Sequence, residues 1–196
     1  MHSLLNQNLF LVKEHVGMFK AANNYDVFDP QSGAKVMECR EPNLGPITKL
    51  FRFTDNKHMT PFDVVVSDTA GRQVLRVRRG VSLFLSKVDV LDDNDRLVGG
   101  FQQKLFSIGG AFTMLDAQGN PVCQLKGKWR NRDFTVLRDG REIARVGRKW
   151  SGFGKELFTS ADNYMLSIDA ADVPADSPLR PLILGAVLCV DMVLKE

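Results

Sequence analysis

Five times along this chain, a short run rich in β-branched and aromatic residues meets a turn of Asp, Asn or Gly and is followed by a second such run. The units lie at 25–28 turning through Gly33 to 35–37, at 62–67 turning through Asp68 and Gly71 to 73–77, and at 87–91 turning through Asp92 and Asp95 to Val98. Two more run from Phe112 through Asp116 and Gly119 to Val122, and from Phe134 through Asp139 and Gly140 to Ile143. Asp and Asn hydrogen-bond the backbone that follows them, and Gly adopts left-handed angles freely, so each unit reads as a β-hairpin. Hairpins at this spacing imply about ten strands, and flanking strands are predicted at 10–13 and 164–168. That is too many for one small flat sheet, so closure into a barrel or sandwich is expected. A plain meander would give the same pattern without any duplication.

The C-terminus sets the second constraint, because residues 182–194 form an apolar run broken only by Asp191. As a helix the run covers about 20 Å at about 1.5 Å per residue, against the roughly 30 Å of a bilayer core. Arg180 and Pro181 bound it upstream, Lys195 and Glu196 downstream, and an internal carboxylate is costly in lipid. The run therefore reads as a buried helix. Ser177 is a candidate N-cap, Pro178 fits the first helical position, and Pro181 still falls in the first turn. Ile183, Val187, Val190 and Val193 keep a buried strand as the competing reading, because periodicity does not separate the two in a uniformly apolar segment. A many-stranded barrel and a helix that is apolar all round solve each other's burial problem if the helix fills the barrel. Asp191 then needs an Arg, a Lys or a backbone donor beside it.

At 196 residues, the chain reads as a single domain over 1–196. Lys and Arg number 26 against 23 Asp and Glu, which sets aside a heavily basic nucleic-acid binder. Cys39, Cys123 and Cys189 are far apart and form no CxxC pair, against both a zinc module and a secreted disulfide framework. The apolar pieces at Leu4 and 10–12 are interrupted by Asn6, Gln7 and Asn8 with no basic segment ahead. No export signal is read there, and a cytoplasmic protein is expected. Enzyme signatures fail: His2, His15 and His58 have no partner at ligand or catalytic spacing, and no GxSxG pattern occurs. Gly152, Gly154 and Lys155 miss the phosphate-loop pattern, because Glu156 stands where Ser or Thr is required. No catalytic residue is assigned, and the chain reads as a non-enzyme. Gly99 and Gly100, and Gly109 and Gly110, fit bulges or tight bends in barrel strands.

Residues 150–158, reading WSGFGKELF, then 161–164, then 184–196, reading LGAVLCVDMVLKE, resemble in order the phospholipid scramblases and their LURP-one-related and Tubby C-terminal-like relatives. The resemblance runs from Asn24 to Glu196. It implies a mainly β, Tubby-like closed antiparallel barrel of about twelve strands enclosing a hydrophobic C-terminal helix, the arrangement that the burial argument reaches separately. It also implies association with anionic phospholipid, phosphoinositide binding or transbilayer lipid movement. The chain shows neither the Pro-rich extension nor the cysteine cluster of eukaryotic scramblases. Their proposed calcium segment begins Asp-x-Asp before an aromatic residue, whereas Ser160 stands at the first of those positions here, ahead of Asp162 and Tyr164. Asp169 and Asp172 follow, but a calcium loop wants Gly at its sixth position and an acid at its twelfth, and Met165 and Ala171 stand there. Asp162, Asp169 and Asp172 are thus calcium candidates that the loop pattern counts against, and no cofactor is expected.

The near-neutral total hides a segregation of charge. Between Lys126 and Lys155 stand ten basic residues against three acidic ones. Lys126, Lys128, Arg130 and Arg132 alternate with Leu125, Gly127, Trp129 and Asn131, so a strand would place the cations on one face and Trp129 inward. With Arg148 and Lys149 they form the candidate site for lipid headgroups. The alternative is ordinary solvated exterior, with Lys and Arg stems covering apolar surface. The family resemblance and the scarcity of aromatics suited to base stacking favour a membrane headgroup over nucleic acid. The expected function is that of a non-enzymatic, phospholipid-associated barrel, peripheral at the inner face of the membrane, with anionic phospholipid as partner. A scaffold for a protein partner is the alternative. Transbilayer scrambling is a second alternative, and it requires the terminal helix to leave the barrel.

Overall fold

The computed structural model describes residues 2–15, 24–42, 60–81, 87–103, 111–128, 133–147 and 163–194. A short 3-10 turn, Ser3–Asn6, leads into the strands β1 Leu9–Glu14, β2 Tyr25–Phe28, β3 Lys35–Arg40, β4 Phe62–Asp68, β5 Gln73–Arg79 and β6 Lys87–Leu91. They continue as β7 Leu97–Gln103, β8 Ala111–Asp116, β9 Pro121–Lys128, β10 Asp133–Arg138, β11 Arg141–Gly147 and β12 Asn163–Ile168, and the helix α1, Leu179–Leu194, follows. Each strand pairs antiparallel with its neighbours in sequence, and β12 pairs with β1 to close a twelve-stranded barrel. The expected hairpins are β2–β3, β4–β5, β6–β7, β8–β9 and β10–β11, and the two flanking strands are β1 and β12.

Alternation along the strands fills the interior. In β4, Phe62, Val64, Val66 and Asp68 are buried while the residues between them are half-exposed, as a period of two requires for one wet and one dry face. Val77, Val88, Val90, Phe101, Phe112, Met114, Leu125, Phe134 and Val136 continue the inner lining around the barrel.

Three hairpins share one turn chemistry. Asp68 Oδ1 accepts the N–H groups of Ala70 and Arg72, each at 2.9 Å, and Asp92 Oδ1 those of Asn94 and Arg96 at 2.8 and 3.0 Å. Asp116 Oδ1 accepts those of Gln118 and Asn120 at 2.9 and 2.8 Å. The third residue after each Asp, namely Gly71, Asp95 and Gly119, has a φ of 80°, 57° and 88°, the left-handed region these turns need. Hydrogen bonds from Arg72 and Ala70 hold the Asp68 carboxyl below its ordinary pKa, and bonds from Asn120 and Gln118 do so for Asp116. At Asp92, burial pushes upward, but the bonds from Arg96 and Asn94 outweigh it.

The helix fills the barrel. Leu182, Ile183, Leu184, Ala186, Val187, Leu188, Cys189, Val190, Met192 and Val193 are all buried, so the strand alternative gives way to an enclosed helix. Leu179 N–H donates to Ser177 Oγ at 3.3 Å and Arg180 N–H to the Ser177 carbonyl at 3.1 Å, which makes Ser177 the cap. The side chain of Asp191 lies outside the described residues. No helix among the described residues is long and apolar enough to cross a membrane.

Arg180, which marks only the edge of the apolar run in the sequence, is itself 1% exposed. Its Nε donates to the carbonyl of Pro174, its Nη1 to those of Leu5 and Gln7, and its Nη2 to the Val173 carbonyl and Asn8 Oδ1, all within 2.9 Å. Every donor of the guanidinium is used, which ties the start of α1 to the N-terminal segment that covers this rim. The hairpin turns lie at the same rim, hereafter the turn rim. Gly99 and Gly100 sit where β7 is pressed between its neighbours. A Cβ at Gly99 would collide with the Leu115 carbonyl and one at Gly100 with the Val88 carbonyl. The β6–β7 register slips between Val90 and Leu91, as the register does at the corresponding place in each of the other four hairpins.

Candidate functional site

Two β-bulges shape the outer wall around β9. Met114 pairs with Cys123 but Leu115 pairs with Pro121, so β9 carries an extra residue at Val122. Val136 pairs with Ala144 but Leu137 with Glu142, so β11 carries an extra residue at Ile143. Bulges bend the strand and sharpen its twist, and between the two lies a groove of about 550 Å³, lined by Thr113, Pro121, Val122, Cys123, Gln124, Lys126, Leu137, Asp139 and Gly140. Lys126 stands at one end. Its register partners are Ala111 on β8 and Thr135 on β10, and Thr135 pairs in turn with Arg145 on β11. Asp139 stands at the other end, in the two-residue turn with Gly140, where φ is 52° and 82°. Cys123 is buried, and burial pushes its thiol up to about 11, so the groove wall carries no thiolate at neutral pH.

Charged groups around the groove are largely paired. Arg145 Nε lies 3.3 Å from Asp133 Oδ1, and Arg141 Nη1 lies 3.3 Å from Asp172 Oδ1. Arg138 Nη2 donates to the Asp172 carbonyl at 2.7 Å. Elsewhere on the wall, Arg40 pairs with Asp26 and Glu38 at 2.7 and 3.0 Å, and Arg76 with Asp63 at 2.5 Å. Lys126 and Asp139 have no side-chain hydrogen bond or ion pair among the described residues.

The described residues cover only part of the cationic row. The alternation predicts Lys126, Lys128, Arg130 and Arg132 on one strand face, and β9 carries the first two, with Lys128 paired to Asp133 at the start of β10. Arg130 and Arg132 lie outside the described residues, as does Trp129. Arg148 and Lys149 also lie outside them, directly after Gly147 at the end of β11, and nothing is described of the Lys128 side chain. Of the six candidate cations, Lys126 is the one whose side chain is described, and it is exposed.

Two of the three calcium candidates have partners of their own among the described residues. Asp169 Oδ1 accepts the N–H of Ala171 at 2.9 Å, the carboxylate of Asp172 faces Arg141, and Asp162 lies outside the described residues. Among the described residues no three His, Cys, Asp or Glu side chains converge. His15 Nε2 lies 2.9 Å from Asp26 Oδ2, and His2 Nδ1 accepts the N–H of Leu4 at 3.3 Å. His58 lies outside the described residues. Sequence reasoning missed Thr113, Gln124, Leu137 and Asp139 as one wall, since only the strand register brings them together.

A family model for scramblases matches residues 4–196. Human phospholipid scramblase family member 5 is 24% identical over 146 residues, 67% of this chain and 53% of the relative. Human phospholipid scramblase 2 is 23% identical over 151 residues, 69% of this chain and 50% of the relative. The chain thus spans about half the length of the curated relatives it matches. A solved structure of an Arabidopsis thaliana protein is similar with a TM-score of 0.53 at 16% identity, covering 95% of this chain and 92% of that one, a likeness of fold alone. With the family model matched along nearly its whole length, and with the closed barrel and enclosed terminal helix that the resemblance implied, the chain belongs to the scramblase family.

Proposed function

We propose that this chain is a non-enzymatic, phospholipid-associated barrel that meets anionic headgroups with the β9 wall and the rim beyond it, through Lys126, Lys128, Arg130, Arg132, Arg148 and Lys149. Family membership supports a phospholipid-related role. The observation that carries the finer reading is Lys126, a cation exposed beside a groove and, among the described residues, without the carboxylate partner that Arg40, Arg76, Arg141 and Arg145 have. The distribution of acids supports it as well: the turn rim carries Asp29, Asp68, Asp92, Asp116, Asp139 and Asp169, whereas Lys128 ends β9 at the opposite rim. An anionic surface repels the first rim and attracts the second. Among the described residues the terminal helix is enclosed and tied by Arg180, which favours binding over insertion of that helix into a bilayer.

Each cation near an anionic surface contributes about 1 kcal/mol. Lys126→Gln with Lys128→Gln should therefore weaken binding to vesicles of phosphatidylserine and phosphatidylcholine by about 30-fold, and added salt should weaken the wild type further. Co-sedimentation reads both effects. Binding that ignores lipid charge and salt overturns the reading, and a protein complex that forms without lipid would replace it with the scaffold reading.

A further inference from the structure

We propose that the groove on the β9 wall recognises a zwitterionic phosphoamine headgroup, with the phosphate at Lys126 and a primary ammonium at Asp139. The proposal rests on the phospholipid reading above and names the headgroup class that the groove selects. The two charged ends of the groove are opposite in sign, and neither is neutralised by a described neighbour. Arg138, Arg141 and Arg145, which could have cancelled Asp139 or reinforced Lys126, are each turned to another oxygen. Between the ends, the Thr113 hydroxyl and the Gln124 amide offer donors and an acceptor, and Pro121, Val122 and Leu137 supply apolar wall. Cys123, held as the thiol, adds no further charge.

The spacing suits such a ligand. Lys126 is paired with Thr135, and Asp139 stands four residues beyond Thr135, about 13 Å along β10 at about 3.3 Å per residue. A phosphoethanolamine gripped at both ends spans roughly 10 Å, its own length with a charge-assisted contact of about 2.8 Å at each end. The difference of about 3 Å is within the reach of the flexible four-carbon stem of Lys126. The volume, about 550 Å³, falls within the roughly 300–1,000 Å³ of small-molecule sites. Competing headgroups fit less well. A phosphoinositide brings several phosphates against one described cation and meets Asp139 with like charge, a phosphoglycerol has no ammonium, and a trimethylammonium has no N–H to donate to Asp139.

Calorimetric titration with glycerophosphoethanolamine, glycerophosphocholine and inorganic phosphate tests the site, alongside vesicles of phosphatidylcholine with and without phosphatidylethanolamine. The wild type should favour the ethanolamine compound over the choline compound by about tenfold or more, the worth of one charge-assisted hydrogen bond. Asp139→Asn should abolish that preference, and Asn tolerates the left-handed angle at this position. Phosphatidylserine also carries a primary ammonium, but the carboxylate on the same carbon meets Asp139 with like charge, so the same variant should bind phosphatidylserine vesicles at least as well as the wild type. Lys126→Gln should weaken both ethanolamine and phosphate binding. No ethanolamine preference in the wild type, or one that survives Asp139→Asn, overturns the proposal, while binding to phosphatidylserine vesicles that persists in that case leaves the broader reading standing. Binding of the soluble compound with no response to phosphatidylethanolamine vesicles overturns the lipid as source and assigns the groove to a free phosphoamine.

Discussion

Replacing Arg180 with Met removes the five hydrogen bonds that tie the start of α1 to residues 5–8 and 173–174, while keeping a side chain of similar reach. No carboxylate faces the guanidinium among these contacts, so its burial is offset by carbonyl and amide oxygens alone, and burial lowers its pKa from the ordinary value. The Leu5 and Val173 carbonyls are fully buried partners, whereas those of Pro174, Gln7 and Asn8 are only partly so. Water can reach the partly buried oxygens at the rim, so the cost falls mainly on the two buried ones, at about 1–3 kcal/mol each. Arg180→Met should therefore lower unfolding free energy by about 2–6 kcal/mol. Arg180→Lys keeps the charge but loses the planar fork, and should cost about 2 kcal/mol. Urea unfolding followed by circular dichroism gives the energies, and amide hydrogen exchange shows where the loss falls. Exchange should accelerate in α1 and in residues 2–8 before the strands. Stability of Arg180→Met within about 0.5 kcal/mol of wild type would refute the reasoning, as would a loss of protection spread evenly over the barrel.

The capped turns predict acid sensitivity of definite sign. The carboxyls of Asp29, Asp68, Asp92, Asp95 and Asp116 are all held below the ordinary 3.8, so the unfolded chain takes up protons first. Stability is full above the unfolded value, about 3.9, and is lost as pH falls through the folded ones. Converting Asp68, Asp92 and Asp116 together to Asn should flatten the decline in thermal midpoint below about pH 5, and an unchanged slope would contradict this origin. Gly100→Ala drives a Cβ into the Val88 carbonyl, whereas Gly147→Ala meets only the Asp133 side chain, at 3.3 Å. The first should cost about 2–3 kcal/mol and the second under about 1 kcal/mol, and equal losses in urea unfolding would contradict the close approach at β7.

Strand positions and closure are readable in this sequence because they rest on local chemistry: apolar alternation and an Asp or Gly at each reversal. The enclosed helix is readable because its apolar residues leave no side for water. Arg180 is not, since a residue-by-residue reading places a cation at the edge of the apolar run, and only the fold brings Leu5, Gln7 and Val173 around it. The start of the cationic row is readable, because the alternation at Leu125, Lys126 and Gly127 falls within β9, where Leu125 is buried and Lys126 exposed. The groove is hidden for a further reason. Its lining comes from β8, β9, β10 and the turn after β10, and the register that sets these side by side belongs to the pairing of strands rather than to any one of them.

The central claim is that one wall of the barrel, at β9, meets the membrane. Fluorophore quenching by lipids tests it most directly, and the native cysteines do not interfere. Cys39, Cys123 and Cys189 are buried, the thiols of the first two pushed up to about 12 and about 11 and that of Cys189 raised likewise by burial. A maleimide dye thus goes to an introduced cysteine. Thr135→Cys places it beside Lys126, and Lys35→Cys places it on β3, on the far side of the ring from β9. On phosphatidylserine vesicles containing brominated lipid, the dye at position 135 should be quenched and the dye at position 35 should not. Equal quenching at both, or quenching at position 35 alone, would contradict the account.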